Sequence, residues 1–165
     1  MVSSVQRAWD LLEQVPDPEI PVVSIRELGI LREISEQDGG LEIVITPTYS
    51  GCPAMGQIEE DVRSAMEAAG LRAQVVTRLA PAWTTDWMTD AAKQKLRAYG
   101  IAPPHTTQPS DSVVRFQKPR PAAAIACPRC GCANTTETSH FGSTACKSLY
   151  KCLDCLEPFD YFKAY

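Results

Sequence analysis

The sequence predicts an α+β fold in two modules, an α/β domain of about 100 residues followed by a small β ribbon. Apolar residues recur alternately at helical and strand spacing up to Gly100, which predicts the first module. Residues 101–124 hold five of the thirteen prolines and little periodicity, which predicts a semi-stiff linker. Six of the seven cysteines fall in the last 39 residues, in two C-x-x-C pairs, which predicts a ribbon closed by a metal. The expected divisions are 1–100, 101–124 and 125–165.

Each element has its own warrant. Ser3 or Ser4 can cap a first helix in which Val5, Ala8, Trp9, Leu12 and Val15 share a face. PDPEIP, Pro16–Pro21, ends it, because proline removes donors and biases the residue before it to extended backbone. A short turn, SIRELG, leads into ILREIS, and DGG reverses the chain into LEIVITP, a β-hairpin pattern. Pro53 suits a first helical position. After it, Met55, Ile58, Val62, Ala65, Met66 and Ala69 form the inward stripe of a second helix, stopped by Gly70. AQVVTRLA reads as a strand and PAWTTDWMT as an aromatic loop. Thr89 then caps a last helix that runs to Tyr99 and closes at Gly100.

Composition narrows the function classes. At 44% apolar and 22% charged, the chain reads as a soluble globular protein. No apolar run approaches the roughly 20 residues of a membrane span. The opening MVSSVQRAWDLLEQV lacks the apolar block of a secretory signal, so a cytoplasmic location is the expectation, with no membrane partner. Residues 1–100 carry 9 basic and 15 acidic side chains, a balance of −6. Residues 125–165 carry four of each sign. Neither has the positive field that binds phosphate backbones, which argues against nucleic acid.

The last module is too small to fold on burial alone and needs a staple. Cys127 and Cys130 form one C-x-x-C, Cys152 and Cys155 another, with 21 residues between the pairs. Two such knuckles on adjacent hairpins aim four sulfurs at one point, the donor set of a structural zinc site. The same spacing also suits reduced thiols or an iron site of rubredoxin type. A closed four-thiolate shell leaves no open coordination position, so the expected role is structural. Cys132 lies too close to the first knuckle to complete the same tetrahedron and reads as a spectator. Cys146 reads as a small buried side chain, with thiol chemistry or a transient second metal as the other option. His105 and His140 read as surface or ribbon residues.

Cys52 stands apart, in a Gly-Cys-Pro turn before the second helix. Unpaired N–H groups and the helix dipole favour negative charge at such a position, and the thiolate is both the nucleophile and the soft-metal ligand. Asp17 and Glu19, each flanked by proline, form a carboxylate-bearing loop that could lie nearby. Two readings stand together: a packing and capping cysteine with solvated acids, or a thiol with carboxylates set out to hold metal.

VPDPEIPVVSIRELGIL, TPTYSGCPAM and PAWTTDWMTDAAKQKLRAYGI together resemble the SufT-like iron–sulfur cluster assembly domain family, over residues 5–100. That resemblance implies Cys52, Asp17 and Glu19 as the metal- or cluster-transfer residues. With the ribbon's SHFGSTACKSLYKCLDCLEPFDYFK added, nearly the whole chain resembles the PaaD family of phenylacetate degradation. Ala164 departs from that pattern where a cysteine is expected, and Cys132 where none is. The resemblance implies an accessory, non-catalytic component of the multicomponent 1,2-phenylacetyl-CoA epoxidase, a monooxygenase system. It would assist assembly or maintenance of the oxygenase iron centre or the reductase iron–sulfur cluster. Structural zinc and transient iron or a cluster are the implied cofactors. The oxygenase and reductase subunits are the implied partners, and a homodimer is compatible with this. The sequence shows no dinucleotide fingerprint, no E-x-x-H pair and no flavin motif. A thiol-dependent redox protein or a zinc-ribbon interaction module is the alternative. A thiol enzyme should present a histidine base, and neither histidine sits in a matching motif.

Overall fold

A computed structural model describes residues 3–105 and 124–165; most of the expected linker, 106–123, lies outside the described residues. The chain divides into two compact units, Met1–Ala92 and Lys93–Tyr165.

In the first unit, helix α1 (Ser4–Leu12) is capped by Ser3, whose Oγ accepts the Gln6 N–H at 3.1 Å. Strands β1 (Leu31–Gln37) and β2 (Gly40–Ile45) form the expected antiparallel hairpin. Helix α2 (Met55–Ala68) crosses over to β3 (Ala73–Thr77), which pairs with β2 in parallel, giving the order β1-β2-β3. The central strand has consecutive buried residues, Ile43, Val44 and Ile45, because both of its faces are covered. Ile58, Val62 and Met66 supply the buried stripe of α2 at four-residue intervals.

The start of α2 differs from expectation. Ala54 is the N-cap and the helix opens at Met55, so Pro53 lies in the preceding turn rather than at the first helical position. The reason is local: the Cys52 carbonyl accepts the Met55 N–H at 3.4 Å, closing a turn before the helix begins. In the SIRELG segment, the Ser24 N–H donates to Glu27 Oε2 at 3.0 Å and the Glu27 N–H to Ser24 Oγ at 3.2 Å. That reciprocal pair is a capping box on a single turn.

Helix α3 (Asp90–Tyr99), within which the division falls, is capped by Thr89 Oγ1 accepting the Ala92 N–H at 3.1 Å. Gly100 closes it with φ +97°. Ile101–Ala102, at the head of the expected linker, instead form strand β4 beside β7 (Pro158–Phe162). Both side chains are apolar and buried, which favours sheet over linker. With β5 (Thr135–Ser139) and β6 (Lys147–Cys152), the second sheet runs β4-β7-β6-β5. No helix among the described residues is long and apolar enough to cross a membrane.

Candidate functional site

The first unit gathers three loops at one end of its sheet. Leu31 at the start of β1 pairs with Ile45 at the end of β2, and Ile45 pairs with Thr77 at the end of β3. The residues that lead into β1 therefore enter at the end where β2 releases the segment that carries Cys52 and β3 releases the tryptophan loop. Two backbone bonds tie this end: the Thr46 N–H donates to Ile30 O at 2.8 Å and the Arg78 N–H to Ile45 O at 2.9 Å. The carboxyl ends of the parallel strands β2 and β3 lie here, where α/β sheets generally present ligand-binding loops.

Each loop is held by its own chemistry. Asp17 is buried, with its carboxylate turned into its own loop: Oδ1 accepts the N–H of Glu19 at 2.9 Å and of Ile20 at 2.8 Å. The Asp17 N–H donates to Val23 O at 2.9 Å, and Pro16 bridges to Ser24. The option of two solvated acids therefore fails at Asp17, because a capping carboxylate must face the N–H groups it satisfies. Glu19 and Cys52 are half-buried. The Cys52 N–H donates to Tyr49 O at 3.1 Å.

The third loop braces the first. Trp83 Nε1 donates to Leu28 O at 3.0 Å, and Thr85–Trp87 form one 3₁₀ turn. Gly29, at φ +77°, lies so close to Trp87 that a Cβ would stand 2.7 Å from its Cβ and carbonyl oxygen. The Arg32 guanidinium lies 3.4 Å from the Trp87 ring centroid, and burial lowers its pKa from the usual value. Sequence reasoning missed Gly29, Arg32 and the anchoring role of both tryptophans. The available signal was an Arg at the start of a strand and two tryptophans in one loop. A cleft of about 380 Å³ lies at the opposite end, lined by Glu36, Gln37, Gly40 and Arg72, and contains neither cysteine nor histidine.

In the second unit the sulfurs of Cys127, Cys130, Cys152 and Cys155 all lie within 4.8 Å of one another. Cys127 and Cys155 are 3.8 Å apart, Cys130 and Cys152 3.6 Å. A tetrahedron with Zn–S bonds of about 2.3 Å has edges of about 3.8 Å, so this donor set is compatible with zinc. The Gly131 N–H donates to Cys127 O at 2.9 Å and closes the first knuckle. In the second, the Cys155 N–H points at Cys152 Sγ from 3.4 Å and pulls that thiol down to about 6. Cys155 receives the Glu157 N–H, which lowers it, but desolvation and the neighbouring sulfurs carry it up to about 12. Four thiols this close cannot all ionise without a cation among them, and a bound metal would displace their protons.

Cys132 stands outside the set of four, as its spacing predicts, but it is not remote. Its sulfur is 3.5 Å from that of Cys152, and its thiol donates to the Asp154 carboxylate, which, with desolvation, raises it to about 11. The facing knuckle produces this contact, which spacing along the chain cannot reveal. Cys146 is buried beside the Thr144 hydroxyl at 3.0 Å. His140 is exposed, with Nδ1 3.3 Å from Glu137 Oε1, and His105 is exposed.

Fold and donor set define a class: an assembly-type α/β domain joined to a cysteine-clamped ribbon. Residues 6–77 match the family described as "Iron-sulfur cluster assembly protein", and residues 111–163 the "PaaD zinc beta ribbon domain". The chain is 48% identical over 165 residues to an Escherichia coli (strain K12) protein named as a putative subunit of 1,2-phenylacetyl-CoA epoxidase, covering 96% of this chain and 92% of that one. This chain belongs to the PaaD family. Its first half is also similar to a Porphyromonas gingivalis protein named "Fe-S protein maturation auxiliary factor", 34% identical over 89 residues, 52% of this chain and 84% of that one. A crystal structure of a domain of unknown function, DUF59, from Bacillus anthracis shares the fold. It has a TM-score of 0.51 and 29% identity, covering 56% of this chain and 90% of that one.

Proposed function

We propose that this chain is an accessory component of a multicomponent 1,2-phenylacetyl-CoA epoxidase. Its task is to assist assembly or maintenance of the oxygenase iron centre or the reductase iron–sulfur cluster. The observation that carries the reading is the near full-length likeness to the E. coli relative named as a putative component of that enzyme. The assembly-type match over residues 6–77 supports the maturation role.

In this reading iron or a cluster is cargo. Cys52 takes it through sulfur, Glu19 offers a hard oxygen, and Asp17 holds the loop that carries Glu19. In the ribbon, Cys127, Cys130, Cys152 and Cys155 bind a structural zinc, which supplies a tetrahedral cross-link between the two knuckles. The partners are the oxygenase and reductase subunits, and the setting is the cytoplasm.

The test is co-expression of the epoxidase components with this chain, with Cys52→Ser or without it, followed by separate iron quantification in oxygenase and reductase. Cys52→Ser is expected to keep its fold and zinc content while client iron falls toward the level without the chain. Full iron loading with the variant would return Cys52 to a packing role.

A further inference from the structure

The ribbon carries two thiols more than a tetrahedral site uses, Cys132 and Cys146, and the first of them touches the site. Cys132 Sγ lies 3.5 Å from Cys152 Sγ, while Cys130 Sγ lies 3.6 Å from the same atom. Each of the two thus stands from Cys152 at about the edge length of a zinc–thiolate tetrahedron, Cys130 inside the set of four mutually close sulfurs and Cys132 just outside it. They differ in shelter: Cys130 is exposed, whereas Cys132 is half-buried and packs against the ribbon core of Ile125, Cys127, Cys152 and Phe159. Between them stands Gly131, at φ +77°, with nothing within 4 Å of where a Cβ would be. The link between the two sulfurs is therefore a residue with wide backbone freedom in open space.

We propose that Cys132 is a reserve metal ligand that takes the coordination position of Cys130 when that exposed sulfur is lost. The inference rests on the zinc reading of the ribbon. In the exchange, the bond from zinc to Cys130 sulfur breaks and a bond to Cys132 sulfur forms. The Cys132 proton leaves to solvent as its sulfur binds the metal. No electron changes hands, and the metal keeps four thiolates: Cys127, Cys132, Cys152 and Cys155. The site would then tolerate alkylation or oxidation of one of its two exposed corners.

The test compares the full-length chain with Cys130→Ser, Cys132→Ser and the double variant, each loaded with zinc and, separately, with cobalt(II). Cobalt–thiolate charge-transfer intensity reports how many sulfurs bind. Both single variants are expected to keep about one metal per chain and the wild-type band, while the double variant loses about a quarter of the band, one thiolate of four. A Cys130→Ser spectrum identical to that of the double variant would overturn the proposal. Should Cys130→Ser not fold, zinc transfer to excess chelator is timed in wild type and in Cys132→Ser, which retains the original four ligands. Release several-fold faster from Cys132→Ser supports the reserve role, and equal or slower release overturns it. A wild-type chain that takes up no zinc removes the zinc reading itself, and this proposal with it.

Discussion

The two units solve the same problem with different materials. The first seals its sheet with large aliphatic side chains, among them Ile25, Leu28, Ile43, Ile45, Ile58 and Met66, all nearly inaccessible to solvent. The second gathers a core of Ala102, Ile125, Cys127, Cys152, Phe159 and Tyr161, in which two of six side chains are candidate ligands. A core that small buries too little apolar surface to offset chain entropy without a cross-link. The comparison teaches that the buried core and the candidate ligands are different residues in the first unit and overlap in the second. Losing Cys127 or Cys152 from the ribbon removes a core side chain and a candidate zinc ligand together. Losing Cys52, half-buried in a loop, removes neither.

The largest expected effect tests that contrast directly. Stripping metal with a strong chelator should unfold the ribbon and leave the first unit intact, since structural zinc contributes on the order of 10 kcal/mol to folding such modules. Hydrogen exchange followed by peptide mass spectrometry would check it: β5, β6 and β7 should lose protection while β2 and α2 keep theirs. Equal protection in the ribbon before and after would break the comparison.

The converse perturbation strikes the first unit alone. Gly29→Ala forces a Cβ onto Trp87 at a left-handed backbone position and should cost about 3 kcal/mol, from overpacking and strain together. Denaturant unfolding would read the loss, and zinc stoichiometry should not change. A smaller effect sharpens the account of the acidic loop. Asp17→Ala removes the acceptor for two backbone N–H groups and should destabilise by about 2 kcal/mol. An unchanged midpoint would mean that the carboxylate serves the cargo rather than the loop. Smallest is Trp83→Phe, which keeps an aromatic ring but loses the indole N–H and its bond to Leu28 O, for about 1 kcal/mol in the same measurement.

Much of the fold is legible in the chain. The stripe of α2, the hairpin across DGG, the Thr89 cap and the two knuckles follow from periodicity and spacing, which act over a few residues. The start of α2 is not, because a turn through Cys52 competes with the proline signal at Pro53. The strand at Ile101–Ala102 is hidden because two residues carry no period, and their partner lies 59 positions away at Asp160 and Tyr161.

The sequence by itself determined which side chains could bind metal, since thiol spacing and the Gly-Cys-Pro turn are local chemistry. Only the tertiary structure decided what stands around them: the end of the sheet where the cysteine and tryptophan loops leave and β1 begins, the inward turn of Asp17, and the fifth sulfur against Cys152. Those neighbours come from strand pairing and from the facing of two knuckles. Such contacts are made across long stretches of chain, by burial and hydrogen bonding that no short window of residues encodes.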